Sequence, residues 1–298
     1  MKKPSIVFFG TGPVAAKTLK EISEHFDVEA VITKPIPLHH KGIFPVHQVA
    51  SENKLRVLEC KNKQALDDLI TTKPFNGNLG LVVDYGIIIS QNVIDYFPLG
   101  IINSHFSLLP EWRGADPITF SLLSGQDKTG VSLMLIVKEL DEGPLLAQED
   151  YIIEKDTNIQ QLTEDLTNLS IKMLIQYIPE YIEGNIKPYN QNKAFAPTYS
   201  RLITKEDSFL DLTKPAEALE REIRAYLGWP GSKTTLKLNN GDPLELTVTD
   251  ANVIKEHDHS PLTFKTSKGY LKITKLKLPG KQEMTAKDFL NGYGSKLN

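Results

Sequence analysis

With 298 residues the chain is long enough for about two domains, and its 40% hydrophobic residues suffice for buried cores. A formal net charge of −3 gives no general attraction for nucleic acid or membrane, so such a partner would have to meet a local basic patch. The single cysteine, Cys60, excludes an intramolecular disulfide, and the lack of any apolar run near the roughly 20 residues of a membrane span predicts a cytoplasmic protein.

Short apolar runs alternate with helical patterns through the first hundred residues. The predicted strands are 5–10, 28–33, 56–58, 79–84 and 100–103, and the predicted helices are 13–26, 45–53, 63–71 and 91–97. Two further strands are expected at 131–137 and 145–153. This alternation predicts an α/β fold with a Rossmann-like, doubly wound, mostly parallel sheet.

The second half begins with a long predicted helix. Thr157 and Gln160 have the spacing of a capping box at its start, and Gly184 is expected to end it. Residues 186–207 show no clean period and contain two prolines, which indicates a linker. After it we expect a helix over 214–227, with Leu219, Ile223 and Tyr226 facing inward, and then short alternating strands that predict a small, OB-like β-barrel.

A glycine-rich turn follows the first strand. "GTGPVA", residues 10–15, matches the dinucleotide-binding pattern, but the second strand ends in Ile32-Thr33-Lys34 without the acid that usually binds the ribose. A plain tight turn and a turn that binds an anion or substrate both remain open.

Asn103 and His105 are predicted to lie just past the carboxyl end of a strand, where open α/β sheets bind ligands. Because the two residues are two positions apart on an extended chain, their side chains lie on the same face of the strand. An uncharged N–H donor beside an imidazole suits a carbonyl that becomes an oxyanion. The alternative is a buried polar pair that fixes a loop.

Asp141 lies in "ELDEGPLL", a turn between two apolar strands. Its carboxylate could orient an imidazole or accept a proton, although aspartate is also common in ordinary β-turns.

A run of lysines without intervening acids marks the last domain. On strands it forms a basic face, which is either a solvated surface or a place for an RNA backbone to dock. Its members are Lys265, Lys268, Lys272, Lys275, Lys277 and Lys281.

Taken together, segments from end to end of the chain resemble the methionyl-tRNA formyltransferases. The signature "INSHFSLLPEWRGADPI" is shared with other enzymes that use 10-formyltetrahydrofolate, and the C-terminal segments narrow the resemblance to the tRNA-acting family. The other similar segments are "IVFFGTGPVA", "VVDYGIIIS", "LDEGPLL", "FAPTYSRLITKEDSFLD", "EIRAYLGWPGS" and "LKLPGKQEMTAKDFLNG".

This resemblance implies transfer of the formyl group of 10-formyltetrahydrofolate to the α-amino group of methionine on initiator tRNA, without a metal or a covalent intermediate. It implies that Asn103 holds the formyl oxygen and that His105 stabilises or protonates the developing oxyanion. Asp141 would fix His105 and help to remove the amine proton.

The resemblance also implies binding residues and domain roles. It implies a catalytic domain over 1–185, a linker over 186–207 and a tRNA-binding barrel over 208–298, with no membrane and no obligatory protein partner. The folate-binding residues would be Asp84, Tyr85, Gly86, Ile87, Ser107, Leu108, Leu109 and Pro110. The tRNA-binding residues would be Lys34, Lys41, Arg113, Lys272, Lys275 and Lys277.

Three features depart from the family pattern. The loop after the second strand, "TKPIPLHHKGIFPV", is shorter than usual, with only Lys34 and Lys41 firmly cationic. Asp84 stands where a small apolar residue is typical, which predicts a more polar folate pocket. Phe106 replaces the usual small residue between His105 and Ser107, which predicts crowding near the donor.

Two other functions are compatible with parts of this pattern. A formyltransferase acting on an amino-sugar nucleotide or another small amine would keep Asn103, His105 and Asp141 but would need no basic barrel. A folate- or nucleotide-binding protein without turnover would use the glycine turn, and the intact Asn-His-Asp set disfavours it.

Overall fold

The structure, a computed structural model that describes residues 3–37, 42 and 44–297, divides the chain into two compact units. The first unit comprises the chain up to Pro117, Lys128–Ile152 and Thr163–Ser200, and the second comprises Ile118–Asp127, Ile153–Leu162 and the chain from Arg201 onward. Residues 186–200 therefore group with the first unit. The contiguous division at residues 185 and 207 stays a prediction.

The first two hundred residues contain nine strands and six helices among the described residues. The strands are β1 (Ser5–Phe9), β2 (Asp27–Thr33), β3 (Val57–Glu59), β4 (Gly80–Val82), β5 (Ile101–His105), β6 (Arg113–Gly114), β7 (Lys128–Leu135), β8 (Leu145–Ile152) and β9 (Tyr199–Ser200). The helices are α1 (Pro13–Ile22), α2 (Pro45–Glu52), α3 (Lys63–Thr71), α4 (Gln91–Tyr96), α5 (Pro117–Ser124) and α6 (Ile159–Ile182).

Seven of these strands form one sheet in the order β3-β2-β1-β4-β5-β7-β8. The first five run parallel, whereas β7 pairs antiparallel with both β5 and β8. Strands β1 and β4 are almost wholly buried, as expected of a parallel sheet covered on both faces. The predicted doubly wound, mostly parallel sheet is confirmed.

Strand β5 is longer than the sequence predicts. Its expected end at Asn103 is wrong, because β7 pairs alongside it and matches His105 with Ser132. Asn103 and His105 therefore lie within the strand rather than after it, and ladder hydrogen bonds fix their backbone.

The cap of α6 is displaced by one residue from the prediction. The side chain of Asn158 accepts from the backbone N–H of Gln161 at 3.0 Å, and the Gln161 side chain accepts from the N–H of Asn158 at 3.1 Å. The capping box is thus Asn158 with Gln161, and the predicted pair Thr157 and Gln160 is wrong, because an amide oxygen caps as well as a hydroxyl.

The second unit has its own sheet and core. Its strands β10 (Ser232–Lys237), β11 (Pro243–Ile254), β12 (Thr263–Lys265) and β13 (Tyr270–Lys277) pair antiparallel in the order β10-β11-β13-β12, and β14 (Met284–Thr285) adds to β13. Helices α7 (Ala216–Ala225) and α8 (Ala286–Tyr293) contribute Leu219, Ile223 and Phe289 to the core. The predicted C-terminal β domain is confirmed as a curled antiparallel sheet. Among the described residues its outer strands β10 and β12 do not pair with each other, so the barrel is only partly formed.

Within the described part of the chain, no helix combines the length and apolar character needed to cross a membrane.

Candidate active site

Strand β5 presents Asn103 and His105 on one face of the sheet, at its carboxyl end. His105 is 5% exposed, whereas Asn103 is partly exposed. No described residue hydrogen-bonds the side-chain amide of Asn103, so its N–H donors and its oxygen are available to a ligand.

The two ring nitrogens of His105 face different groups. Nε2 lies 3.0 Å from the backbone oxygen of Trp112, which can only accept, so Nε2 carries the proton of the neutral ring. Nδ1 lies 3.8 Å from Oδ2 of Asp141, which is an ion-pair distance rather than a hydrogen bond. Burial lowers the pKa of His105, while the charge of Asp141 and the Trp112 carbonyl act in the opposite direction. The ring therefore keeps an unprotonated Nδ1 that faces a carboxylate.

A backbone amide orients the carboxylate of Asp141. The N–H of Gly114 donates to Oδ2 at 2.7 Å. Gly114 has a φ of +114°, and a Cβ there would lie 2.3 Å from the backbone oxygen of Ser200, so only glycine fits. The Asp141 side chain is 10% exposed, which keeps it largely out of water beside the imidazole.

Segment 189–200, predicted as part of a linker, pairs with both loops that form this site. Its Tyr189 exchanges two backbone hydrogen bonds with Leu145, directly after the loop that carries Asp141. On the other loop, Thr198 accepts from the N–H of Trp112 at 2.8 Å, and β9 pairs with β6. This irregular segment is therefore part of the site's framework.

Arg113 belongs to the same framework. Its side chain is buried, with Nη1 2.7 Å from Glu142 and Nη2 2.7 Å from the side-chain oxygen of Gln191. Its guanidinium is therefore enclosed and bonded to protein groups, and tRNA binding by Arg113 stays a prediction.

The glycine turn between β1 and α1 packs against Asp84. The N–H of Thr11 donates to the Asp84 backbone oxygen at 3.0 Å, and a Cβ on Gly12 would lie 2.0 Å from the Asp84 Oδ2 atom. A side chain at position 12 would have to displace the Asp84 carboxylate, which occupies that space. An anion at this turn would meet that carboxylate, so the turn is not a free phosphate cradle.

The carboxyl group of Asp84 has a raised pKa. Although solvent still reaches it, the surrounding protein desolvates it and raises its pKa to about 6. The charge of Asp116 acts in the same direction, and Lys34 opposes both.

Comparison with known proteins identifies the family. The profile described as "Formyl transferase" matches residues 4–178, and "Formyl transferase, C-terminal domain" matches residues 202–294. The methionyl-tRNA formyltransferase of Thermotoga maritima is 33% identical, with 96% of this chain and 95% of the relative covered, and that of Coxiella burnetii is 31% identical, with 98% and 96% covered. The chain belongs to the methionyl-tRNA formyltransferase family. It is a one-carbon transferase, as the sequence predicted.

A solved structure shares the formyltransferase fold at lower identity. It is the N-formyltransferase from Helicobacter canadensis in complex with folinic acid and dTDP-3-aminofucose. It superimposes with a TM-score of 0.66 at 16% identity and covers 91% of this chain and 98% of its own. At this identity the likeness concerns the fold alone.

The residues predicted to bind folate in this formyltransferase divide by burial. Asp84, Gly86, Ile87 and Leu108 retain exposed surface, whereas Tyr85, Ser107, Leu109 and Pro110 are buried. The hydroxyl of Ser107 donates to the Glu111 backbone oxygen, so it fixes the loop. Phe106 is buried too, with 8% exposure. Folate contact by these residues stays a prediction.

The predicted tRNA-binding lysines also differ from one another. Lys34 is half-buried near Gly86 and Asp84, and Lys41 lies outside the described residues. In the second unit Lys272 is 2.7 Å from a carboxylate oxygen of Asp258, and this ion pair helps to hold the pKa of Asp258 well below its usual range. Lys275 and Lys277 are exposed, and no described residue forms an ion pair with either.

The sequence pattern did not reveal the groups that hold His105 and Asp141. The Trp112 carbonyl and the Gly114 amide are backbone groups, which residue type does not reveal. Gln191 and Thr198 lie in a segment without hydrophobic period, and its only signal was the resemblance of "FAPTYSR" to a family connector.

Proposed function

We propose that this formyltransferase takes its one-carbon group from 10-formyltetrahydrofolate and transfers it to the α-amino group of methionine on initiator tRNA. Asn103, His105 and Asp141 carry the transfer. The observation that supports this most is one cluster: an unpartnered, partly exposed amide on the same strand face as an imidazole whose Nδ1 faces a carboxylate.

The reaction begins when the neutral amine attacks the formyl carbon. A C–N bond forms, and the carbonyl electron pair moves to oxygen. The Asn103 amide N–H donates to that oxygen as it becomes negative. Such a donor contributes most when it stands in place before charge develops, and this one has no competing protein partner.

The amine must then lose a proton. Nδ1 of His105 is the basic atom of the neutral ring, and Asp141 stabilises the imidazolium that forms when Nδ1 accepts it. Collapse of the oxyanion breaks the bond between the formyl carbon and N10 of the folate. N10 takes a proton from the imidazolium, and tetrahydrofolate leaves. Protons and electron pairs balance with no other reactant.

The donor is expected beside the segment that follows β4. Asp84, Gly86 and Ile87 offer exposed surface there, and Ile88, which is 78% exposed, adds an apolar patch for a planar ring. A related fold that binds folinic acid supports a folate as the donor.

The acceptor is expected to use the basic face of the second unit. Lys275 and Lys277 are free to meet phosphates, and the family's name supports a tRNA acceptor. The predicted cytoplasmic location is part of this proposal, because aminoacylated initiator tRNA is present there.

One competition experiment tests the proposal. The protein is incubated with 10-formyltetrahydrofolate labelled in the formyl group, with methionyl initiator tRNA and an amino-sugar nucleotide present together. We expect label on the methionyl amino group and none on the sugar. Label on the sugar alone would show that the protein formylates a small amine instead. Folate binding without transfer to either acceptor would show that the protein binds folate without turnover.

A further inference from the structure

The loop that carries Asp141 has an uncommon backbone conformation at that residue. Asp141 has a φ of +52°, in the left-handed region that residues other than glycine seldom occupy. Such conformations persist where surrounding contacts determine them, often at functional sites. The groups that hold this loop therefore bear on where its carboxylate lies.

Gln191 is the side chain that spans the loop. It is 9% exposed, and its Nε2 donates to the backbone oxygens of Asp141 at 2.7 Å and Gly143 at 3.0 Å. Its Oε1 accepts from Nη2 of Arg113 at 2.7 Å, so the amide cannot rotate without losing all three hydrogen bonds. The side chain thus fixes the backbone on both sides of Glu142.

Arg113 joins the same loop to the neighbouring one. Its Nη1 pairs with Glu142 at 2.7 Å, so the three consecutive residues 141–143 are each bonded to Gln191 or Arg113. In sequence Arg113 lies between Trp112, whose carbonyl is bonded to Nε2 of His105, and Gly114, whose amide is bonded to Asp141. One buried pair of side chains therefore connects the groups that orient the base to those that orient its carboxylate.

We propose that Gln191, supported by Arg113, is a positioning residue for formyl transfer that sets the Asp141 carboxylate against Nδ1 of His105. This inference rests on the proposed function, since it requires Asp141 to act in the transfer. The Gln191 side chain bonds the loop backbone and Arg113 rather than the Asp141 carboxylate or the His105 ring. It acts by holding a strained loop, and its removal lets the carboxylate move.

We expect the loss of Gln191 to affect the rate of formyl transfer more than the fold. A displacement of about 1 Å in a reacting group costs on the order of 10²-fold in rate. Among the described residues, Asp141 is the group whose charge acts on His105, so a retreating carboxylate also weakens the imidazolium. We therefore expect a lower kcat and an acid limb of the kcat profile that moves to lower pH.

The test compares Gln191→Ala with Asn190→Ala, which removes an exposed amide from the adjacent position. We expect Gln191→Ala to lower kcat by about 10- to 100-fold, with KM for donor and tRNA changed less than about threefold. The acid limb of the kcat profile of Gln191→Ala should move to lower pH, whereas Asn190→Ala should have the kcat and pH profile of the parent. A purely structural role would reduce the active fraction and leave the pH profile in place, and that result overturns the inference.

Gln191→Glu separates the two sets of bonds. It keeps an acceptor for Arg113 and removes the donors to the carbonyls of Asp141 and Gly143, so we expect it to be as impaired as Gln191→Ala. If either variant folds poorly, Arg113→Lys is measured by the same pH profile, because it keeps the charge and replaces the two guanidinium nitrogens that bond Glu142 and Gln191 with a single ammonium. A normal kcat in Gln191→Glu would show that the carbonyl bonds are not needed.

A double variant distinguishes this inference from the proposed function. In an Asp141→Asn background, Gln191→Ala should lower kcat little further, because the group that it positions is already lost. A fully additive loss would overturn the inference. Normal kcat in Asp141→Asn alone would instead overturn the assigned role of Asp141, whatever Gln191 does.

Discussion

Nδ1 of His105 lies 3.8 Å from Oδ2 of Asp141, and the carbonyl of Trp112 holds the opposite ring nitrogen at 3.0 Å. The proton of the neutral ring is thereby assigned to Nε2, and proton uptake to Nδ1. In the proposed transfer, the carboxylate next to that atom stabilises the charged ring when the amine gives up its proton.

The amide of Asn103 is expected to act on the transition state. Asn103→Ala should reduce kcat by about 10²–10³-fold, the usual effect of removing one oxyanion donor, with donor binding little changed. Single-turnover formyl transfer measures this. The control is Ser104→Ala on the opposite face of the strand, where the hydroxyl is buried 2.7 Å from that of Ser170. It should cost about 1 kcal/mol of unfolding free energy and leave kcat near the parent value. Near-normal transfer by Asn103→Ala would remove the amide from the mechanism.

Asp84 should make the folded state less stable as pH rises. Its pKa is raised to about 6 by desolvation, against 3.8 for the unfolded group, so the folded state binds the proton more tightly between these values. Stability from this group is present below pH 4 and is lost as pH rises to 6. Asp84→Asn should therefore unfold at higher urea than the parent at pH 8, with the difference shrinking between pH 6 and 4. A constant difference across that range would contradict the raised pKa.

The two unpaired lysines of β13 are expected to dominate the salt dependence of tRNA binding. Replacing Lys275 and Lys277 with alanine should raise KM for tRNA and reduce the slope of log affinity against log salt by roughly one per lysine. Lys272→Ala should have a smaller effect, because Asp258 already pairs with Lys272 at 2.7 Å. Alanine at Lys20 and Lys187, exposed lysines of the first unit, serves as the control. If alanine at Lys275 and Lys277 left the slope of log affinity against log salt unchanged, this face would be a solvated surface without a role in tRNA binding.

Cys60 should report on unfolding. It is the single cysteine, is 1% exposed, and burial raises the pKa of its thiol. Reaction with a disulfide reagent should be about 10³-fold or more slower in native buffer than in urea, because only transiently opened molecules react. The time course of thiol release measures this. Prompt labelling of the native protein would show that this part of the core opens locally.

Periodicity alone identified most elements of this fold. Helix α3 begins and ends where the sequence predicts, because Asn62 supplies an N-cap before an amphipathic run. Helices α5 and α8 were not predicted: each has eight residues, and the threonine and serines of α5 are interspersed among its apolar residues, so it lacks a helical period. The end of β5 required knowledge of its antiparallel partner β7, which no local pattern contains.

The sequence by itself determined that an amide and an imidazole share one strand face, because that follows from their spacing, and it placed a carboxylate in a turn between later strands. Only the tertiary structure decided that Asp141 faces His105, that Arg113 is enclosed beside Glu142 and Gln191, and that Gln191 joins the two loops. The reason is that these contacts link residues 27 to 78 positions apart through backbone groups and an irregular segment, and neither residue type nor hydrophobic period encodes such contacts.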